Sequence, residues 1–159
     1  MIHIDIICVG KLKETYLKEA ISEYSKRLSK YCILKMIEIP DEPIPSKLST
    51  ALEVQVKEKE GITILNQLKK DSYVFALDLN GKQFSSEDFS EKLETISMQA
   101  SHITFIIGGS LGIANSVLQA SNEKICFSKM TFPHQLIRVF LLEQLFRAFK
   151  IANHETYHR

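Results

Sequence analysis

The strongest constraint on this chain is an alternation. Short runs rich in β-branched and apolar residues, Ile2 to Val9, Cys32 to Ile39, Tyr73 to Leu79, His102 to Ile107 and Lys124 to Ser128, are separated by longer segments with helical spacing. Strands that alternate with helices favour an α/β fold, a sheet covered by helices on both faces. In the first helical segment Leu17, Ala20, Ile21, Tyr24, Leu28 and Tyr31 recur at three- and four-residue spacing, and lysines and glutamates fill the other face. Three prolines between Pro40 and Pro45 mark a loop. A charged helix is expected from about Ser49 to Lys70, and Asn80-Gly81 reads as a turn. Ser85-Ser86-Glu87-Asp88 supplies caps for the next helix, a short one spans Ala114 to Ala120, and Pro133 opens the last.

With 159 residues and 45% hydrophobic content, residues 1–159 are expected to form a single domain. No apolar run is long enough to span a membrane, and Asp5 interrupts the apolar start, so a cytoplasmic protein is expected. Cys8, Cys32 and Cys126 sit in apolar stretches without paired spacing, which predicts buried reduced thiols and no metal site. Net charge is only +1. From Lys124 onward, however, six Lys and Arg residues face two Glu, and His134, His154 and His158 fall in the same stretch. That asymmetry points to an anionic or electron-rich ligand.

Two loops stand out because ligands of α/β sheets sit beyond the carboxyl ends of strands. Gly108-Gly109-Ser110-Leu111-Gly112 allows close approach to main-chain amides, but has neither the spacing nor the lysine of a phosphate loop. Phe127 to Phe132 places aromatic rings and Met130 beside a helix start with free backbone donors, which suits a flat heteroaromatic ring such as adenine. The helix after it is apolar almost all round and therefore expected to be buried. Its Glu143 and Arg147 are spaced to pair, while His134 and Arg138 have no acid along their own helix. Tyr157-His158-Arg159 follows within a few residues, close enough to be held against the body.

The segments IIGGSLG, FSKMTFPHQLIR, LLEQLFRAFKI and the terminal YHR, with VGKLKETYLKEAISEY and EKEG at Glu58 to Gly61, resemble the RlmH family of ribosomal large-subunit pseudouridine methyltransferases. The resemblance covers essentially the whole chain. It implies a SPOUT-type fold with a mostly parallel sheet, a C-terminal trefoil knot and a homodimer. It further implies S-adenosylmethionine bound by Leu77, Gly108, Phe127, Ser128, Lys129, Met130, Thr131 and Phe132, and methylation at N3 of a pseudouridine in 23S rRNA of assembled ribosomes. That imide nitrogen must lose a proton and the charge on its carbonyls must be stabilised. His158 is the first candidate base and His134 the second; Arg138 and Arg159 are candidates to polarise carbonyls or hold phosphate, and Tyr157 to stack on the base. The chain departs from the family pattern at Leu111, at Ala114-Asn115-Ser116 and at Asn153-His154, which bears on substrate fit and leaves room for a divergent paralogue with weaker or altered target choice; a non-catalytic RNA- or ribosome-binding module that kept the fold is the alternative reading.

Overall fold

The computed structural model describes residues 1–157. Five parallel strands form one sheet in the order β2-β1-β4-β3-β5: β1 Ile2–Val9, β2 Cys32–Ile39, β3 Tyr73–Lys82, β4 His102–Ile107 and β5 Glu123–Ile125. Five helices connect and follow them: α1 Thr15–Leu28, α2 Thr50–Gln67, α3 Ser86–Ser97, α4 Asn115–Ala120 and α5 Leu136–Ala152. The β1-to-β2 and β3-to-β4 connections run one way across the sheet, the other two run back. A constant crossover handedness then places α1 and α3 on one face, α2 and α4 on the other.

The core confirms this division. Ile4, Ile6 and Cys8 of β1 join Phe75, Phe105, Leu28, Phe89 and Leu141 on one side, whereas Ile7 and Val9 join Ala76, Ile106, Ile64 and Val117 on the other. The period of two within each strand explains why the central strands are apolar on both faces. Helix starts follow local chemistry. Ser49 caps α2 by accepting the Leu52 N–H at 3.2 Å, and Ser85 caps α3 by accepting that of Asp88 at 3.0 Å. Gly61 inside α2 is a packing glycine: a Cβ there would lie 3.1 Å from that of Ala114, so α2 and α4 need its bare backbone.

Several expected boundaries shift for visible reasons. The last strand was expected to run to Ser128 but ends at Ile125, because the Cys126 N–H turns to the Lys82 carbonyl at 3.0 Å and releases Phe127 and Ser128 into a loop. Asn80-Gly81 lies within β3, where the pairing with β5 slips between Leu77 and Lys82. A Cβ on Gly81 would sit 2.7 Å from the backbone of Ile125, so this crossing requires glycine. Helix α5 starts three residues after Pro133, which leaves His134 in the preceding turn although the Pro133 carbonyl already accepts the Ile137 N–H at 3.0 Å. Tyr31 lies beyond the end of α1. The apolar circumference of α5 is covered unevenly: Leu141, Leu142, Leu145 and Phe146 are buried, most other positions are partly covered, and Phe140 remains 36% exposed.

Candidate active site

The carboxyl ends of β3, β4 and β5 open into one cleft of about 290 Å³. Leu77 and Asp78 come from β3, Ile107 from β4 with Gly108 to Ile113 after it, and Ile125 from β5 with the loop that follows. The two loops singled out in the sequence therefore face each other. Of the eight candidate cofactor residues, Leu77, Gly108, Phe127, Ser128, Met130, Thr131 and Phe132 line this cleft, and Lys129 does not. Lys129 is exposed between two lining neighbours.

The glycine loop is shaped by backbone contact. Gly112 donates its N–H to the Gly109 carbonyl at 3.0 Å and adopts φ +93°, a torsion that favours glycine. At Gly108 a Cβ would lie 2.7 Å from Ile113 Cγ1 and 2.9 Å from the Gly112 backbone. Behind the loop Glu60 is only 5% exposed, accepts the Glu42 N–H at 3.0 Å, and is pushed above the ordinary glutamate range by burial.

On the opposite wall Ser128 Oγ accepts the Met130 N–H at 3.0 Å and tightens the loop. Among the described residues, the amides of Thr131 and Phe132 find no acceptor within the protein, and α5 has no side-chain cap at its start. An apolar cleft with unpaired main-chain donors and a glycine-bounded wall fits a purine nucleoside, whose flat ring needs apolar faces and whose edge needs hydrogen bonds. Phe132 is fixed by an edge contact with Phe140, their centroids 5.2 Å apart.

The proton-handling candidates separate into three groups. His134 lines the cleft, and burial, followed by the Arg138 charge, holds its imidazole below the usual histidine value. Arg138 does not enter the cleft. It is 1% exposed and donates to Glu38 at 2.8 Å, to the Gly10 carbonyl at 2.9 Å and to that of Val9 at 3.3 Å. The acid missing from its own helix comes from the end of β2, a pairing that local spacing could not show. Tyr157 is also engaged: its hydroxyl donates to Glu143 at 3.0 Å, its ring meets Phe146 edge-on at 5.0 Å, and Arg147 lies 4.8 Å above it. Glu143 and Arg147 pair at 2.8 Å, as their spacing predicts. His158 and Arg159 lie outside the described residues.

Comparison with known proteins adds a name to this geometry. The family model described as "Predicted SPOUT methyltransferase" matches residues 2–158. The chain belongs to the SPOUT methyltransferase family. Among its SPOUT relatives, "Ribosomal RNA large subunit methyltransferase H 1" of Clostridium perfringens is 54% identical over 158 residues, 99% of each chain. "Ribosomal RNA large subunit methyltransferase H" of Clostridium acetobutylicum and of Clostridium tetani are each 55% identical over the same length and share. For a SPOUT chain, the cleft residues that sequence reading did not mark include Asp78, Leu79, Ile113 and Ile137. Their signal was position alone, at a strand end or within one helical turn of a loop already marked. Among the described residues no acidic, cysteine and histidine cluster could hold a metal, and no helix is long and apolar enough to cross a membrane.

Proposed function

We propose that this chain is an S-adenosylmethionine-dependent methyltransferase acting on N3 of a pseudouridine in 23S rRNA of assembled ribosomes, in the cytoplasm and as a homodimer. The observation that carries the reading is the single cleft that joins the glycine loop to the Phe127–Phe132 loop at the carboxyl ends of three strands. The names of the SPOUT relatives, at 54–55% identity over nearly the whole chain, support ribosomal RNA as the substrate class. The exposed Phe140 on α5 supports a partner subunit. One domain with the family's C-terminal trefoil knot belongs to the same reading, and it explains why a chain end is so closely constrained.

Phe127, Met130 and Phe132 would enclose an adenine ring, Thr131 and Phe132 would offer it main-chain donors, and Asp78 would accept from sugar hydroxyls. Leu77 and Gly108 would bound the far wall, and Ser128 would hold the loop closed. When bound, the cofactor supplies a sulfonium-activated methyl group. The protein's part is to align the acceptor and remove its proton. His134, kept neutral by burial, can accept a proton at a ring nitrogen near neutral pH. His158 remains the first candidate for the same task, with Arg159 next to it as a cation for the flanking carbonyls or phosphate. Arg138 acts by positioning: it ties the start of α5, and hence His134, to the ends of β1 and β2. Tyr157, already held by Glu143 and Phe146, anchors the tail that carries His158.

Incubation with radiolabelled S-adenosylmethionine and either intact ribosomes or free 23S rRNA tests the reading. Label at one pseudouridine of intact ribosomes is the expected result. Cofactor binding by calorimetry without transfer to any RNA would leave a non-catalytic ribosome-binding protein instead. Light scattering at the mass of one chain would remove the dimer.

A further inference from the structure

The loop between β1 and α1 is exposed, short and held with unusual thoroughness. Its Gly10 adopts φ +93° and donates to the Ile39 carbonyl at 2.8 Å. The Leu12 N–H reaches Glu38 Oε2 at 2.6 Å, Gln135 bridges the Lys11 carbonyl at 3.4 Å and the Lys13 N–H at 3.5 Å, and Arg138 holds the Gly10 carbonyl at 2.9 Å. Fixing these backbone groups in a surface loop carries an entropic cost. What the loop presents is charge. Leu12 is buried, so Lys11 and Lys13 project outward on either side of it, both exposed and, among the described residues, neither within ion-pair distance of an acid. Glu38, the acid beneath them, is already engaged by Arg138 and the Leu12 amide. Gln135, which holds both lysines' backbone, sits between His134 and Ile137, and both of these line the cleft.

We propose that Lys11 and Lys13 form a preset pair of phosphate contacts at the mouth of the cleft, placing the RNA strand that carries the acceptor base. The proposal rests on the RNA methyltransferase reading and extends it to the β1–α1 loop. A polyanionic strand needs cations beside an otherwise apolar cleft, and a chain of net charge +1 has to place them locally. Lysine is suited to this as a point charge that tolerates small variations in phosphate position. The rigid loop lowers the ordering cost of binding.

The double variant Lys11→Ala/Lys13→Ala changes only exposed side chains, and its methyl transfer to ribosomal RNA is measured over a range of salt concentrations. The inference expects KM for RNA to rise about tenfold or more at physiological salt and the log–log salt dependence to flatten by about 1.4 to 1.8, two phosphates' worth. Affinity for S-adenosylmethionine, read by calorimetry, stays at the wild-type value, and Lys11→Arg/Lys13→Arg keeps most of the RNA affinity. An unchanged KM and salt slope in the alanine variant overturns the inference while the wild-type activity keeps the functional reading intact. A parallel loss of cofactor affinity also overturns it, by making the loop part of the cleft wall. A wild-type protein that neither binds nor methylates any RNA overturns both together.

Discussion

Arg138 and Glu38, one hundred residues apart in sequence, are joined end to end at 2.8 Å, and the guanidinium is almost fully enclosed while the carboxylate is 39% exposed. The pair locks the first turn of α5 to the last residues of β1 and β2. Removing the acid strands a charge that has no other counter-ion among the described residues, and a buried pair broken from one side costs about 3 to 5 kcal/mol. Water reaching the exposed side of Glu38 tempers this, so Glu38→Gln is expected to lose about 3 kcal/mol. Urea unfolding would show a lower midpoint at unchanged slope. A midpoint within experimental error of wild type would mean that the guanidinium is satisfied by the Val9 and Gly10 carbonyls alone.

Gly108→Ala separates binding from folding. The new methyl group would press on Ile113 and the Gly112 backbone within 3 Å, at the wall of the cleft, where Ile113 packs at the edge of the smaller core cluster. S-adenosylmethionine affinity is expected to fall at least about tenfold, the equivalent of 1.4 kcal/mol, with a smaller change in thermal stability. Gly81→Ala provides the contrast. Its three nearest contacts are backbone atoms of Lys124 and Ile125, so stability should fall by about 1 to 3 kcal/mol as β3 and β5 separate. Equal effects of the two substitutions on cofactor affinity would contradict the assignment of the cleft.

How much of this was legible beforehand depended on distance along the chain. The strands, the two loops and the Glu143–Arg147 pair were readable because period, turn residues and four-residue spacing are local signals. The partner of Arg138 was not, since Glu38 reaches it only after β1 and β2 align in register. Phe127 and Ser128 looked like strand because their composition continues that of β5; the competing bond from Cys126 to Lys82 is a tertiary event. The hold on Tyr157 was not legible either, because Glu143, Phe146 and Arg147 of α5 meet it only once the tail folds back along that helix.

His134 sets an expectation for pH. Its folded-state value lies below that of an unfolded histidine, near 6.5, because burial and Arg138 disfavour the imidazolium. The contribution to stability is therefore complete above about pH 6.5 and is lost as pH falls through the lower folded value. His134→Gln should flatten the stability profile on that acid side and leave it unchanged at pH 8. Proton NMR of the ring would show a titration midpoint below that of a denatured control; a midpoint above it reverses the sign.

Burial raises both the Cys8 and the Cys32 thiols to about 12, so thiolate is scarce at pH 8. Iodoacetamide should leave both unmodified in the native protein and label both in denaturant. Mass spectrometry of the two peptides reads the result, and rapid native labelling of either would show that the strand carrying it opens.

The tail offers the sharpest division between structure and chemistry. Two carboxylates hold it: Glu155 accepts from Tyr31 at 2.9 Å and from Lys150 at 2.7 Å, and Glu143 accepts from Tyr157 at 3.0 Å. Tyr157→Phe removes one hydrogen bond to a charged group but keeps the ring on Phe146 and under Arg147, so a loss of about 1 kcal/mol or slightly more is expected. Tyr157→Ala removes all three contacts and frees the segment that leads to His158. If that histidine works on the substrate, the alanine variant should bind S-adenosylmethionine normally and transfer methyl groups at least about a hundredfold more slowly, while the phenylalanine variant stays within a few fold of wild type. Comparable activity in both variants would place proton removal elsewhere in the cleft, with His134 as the remaining described candidate.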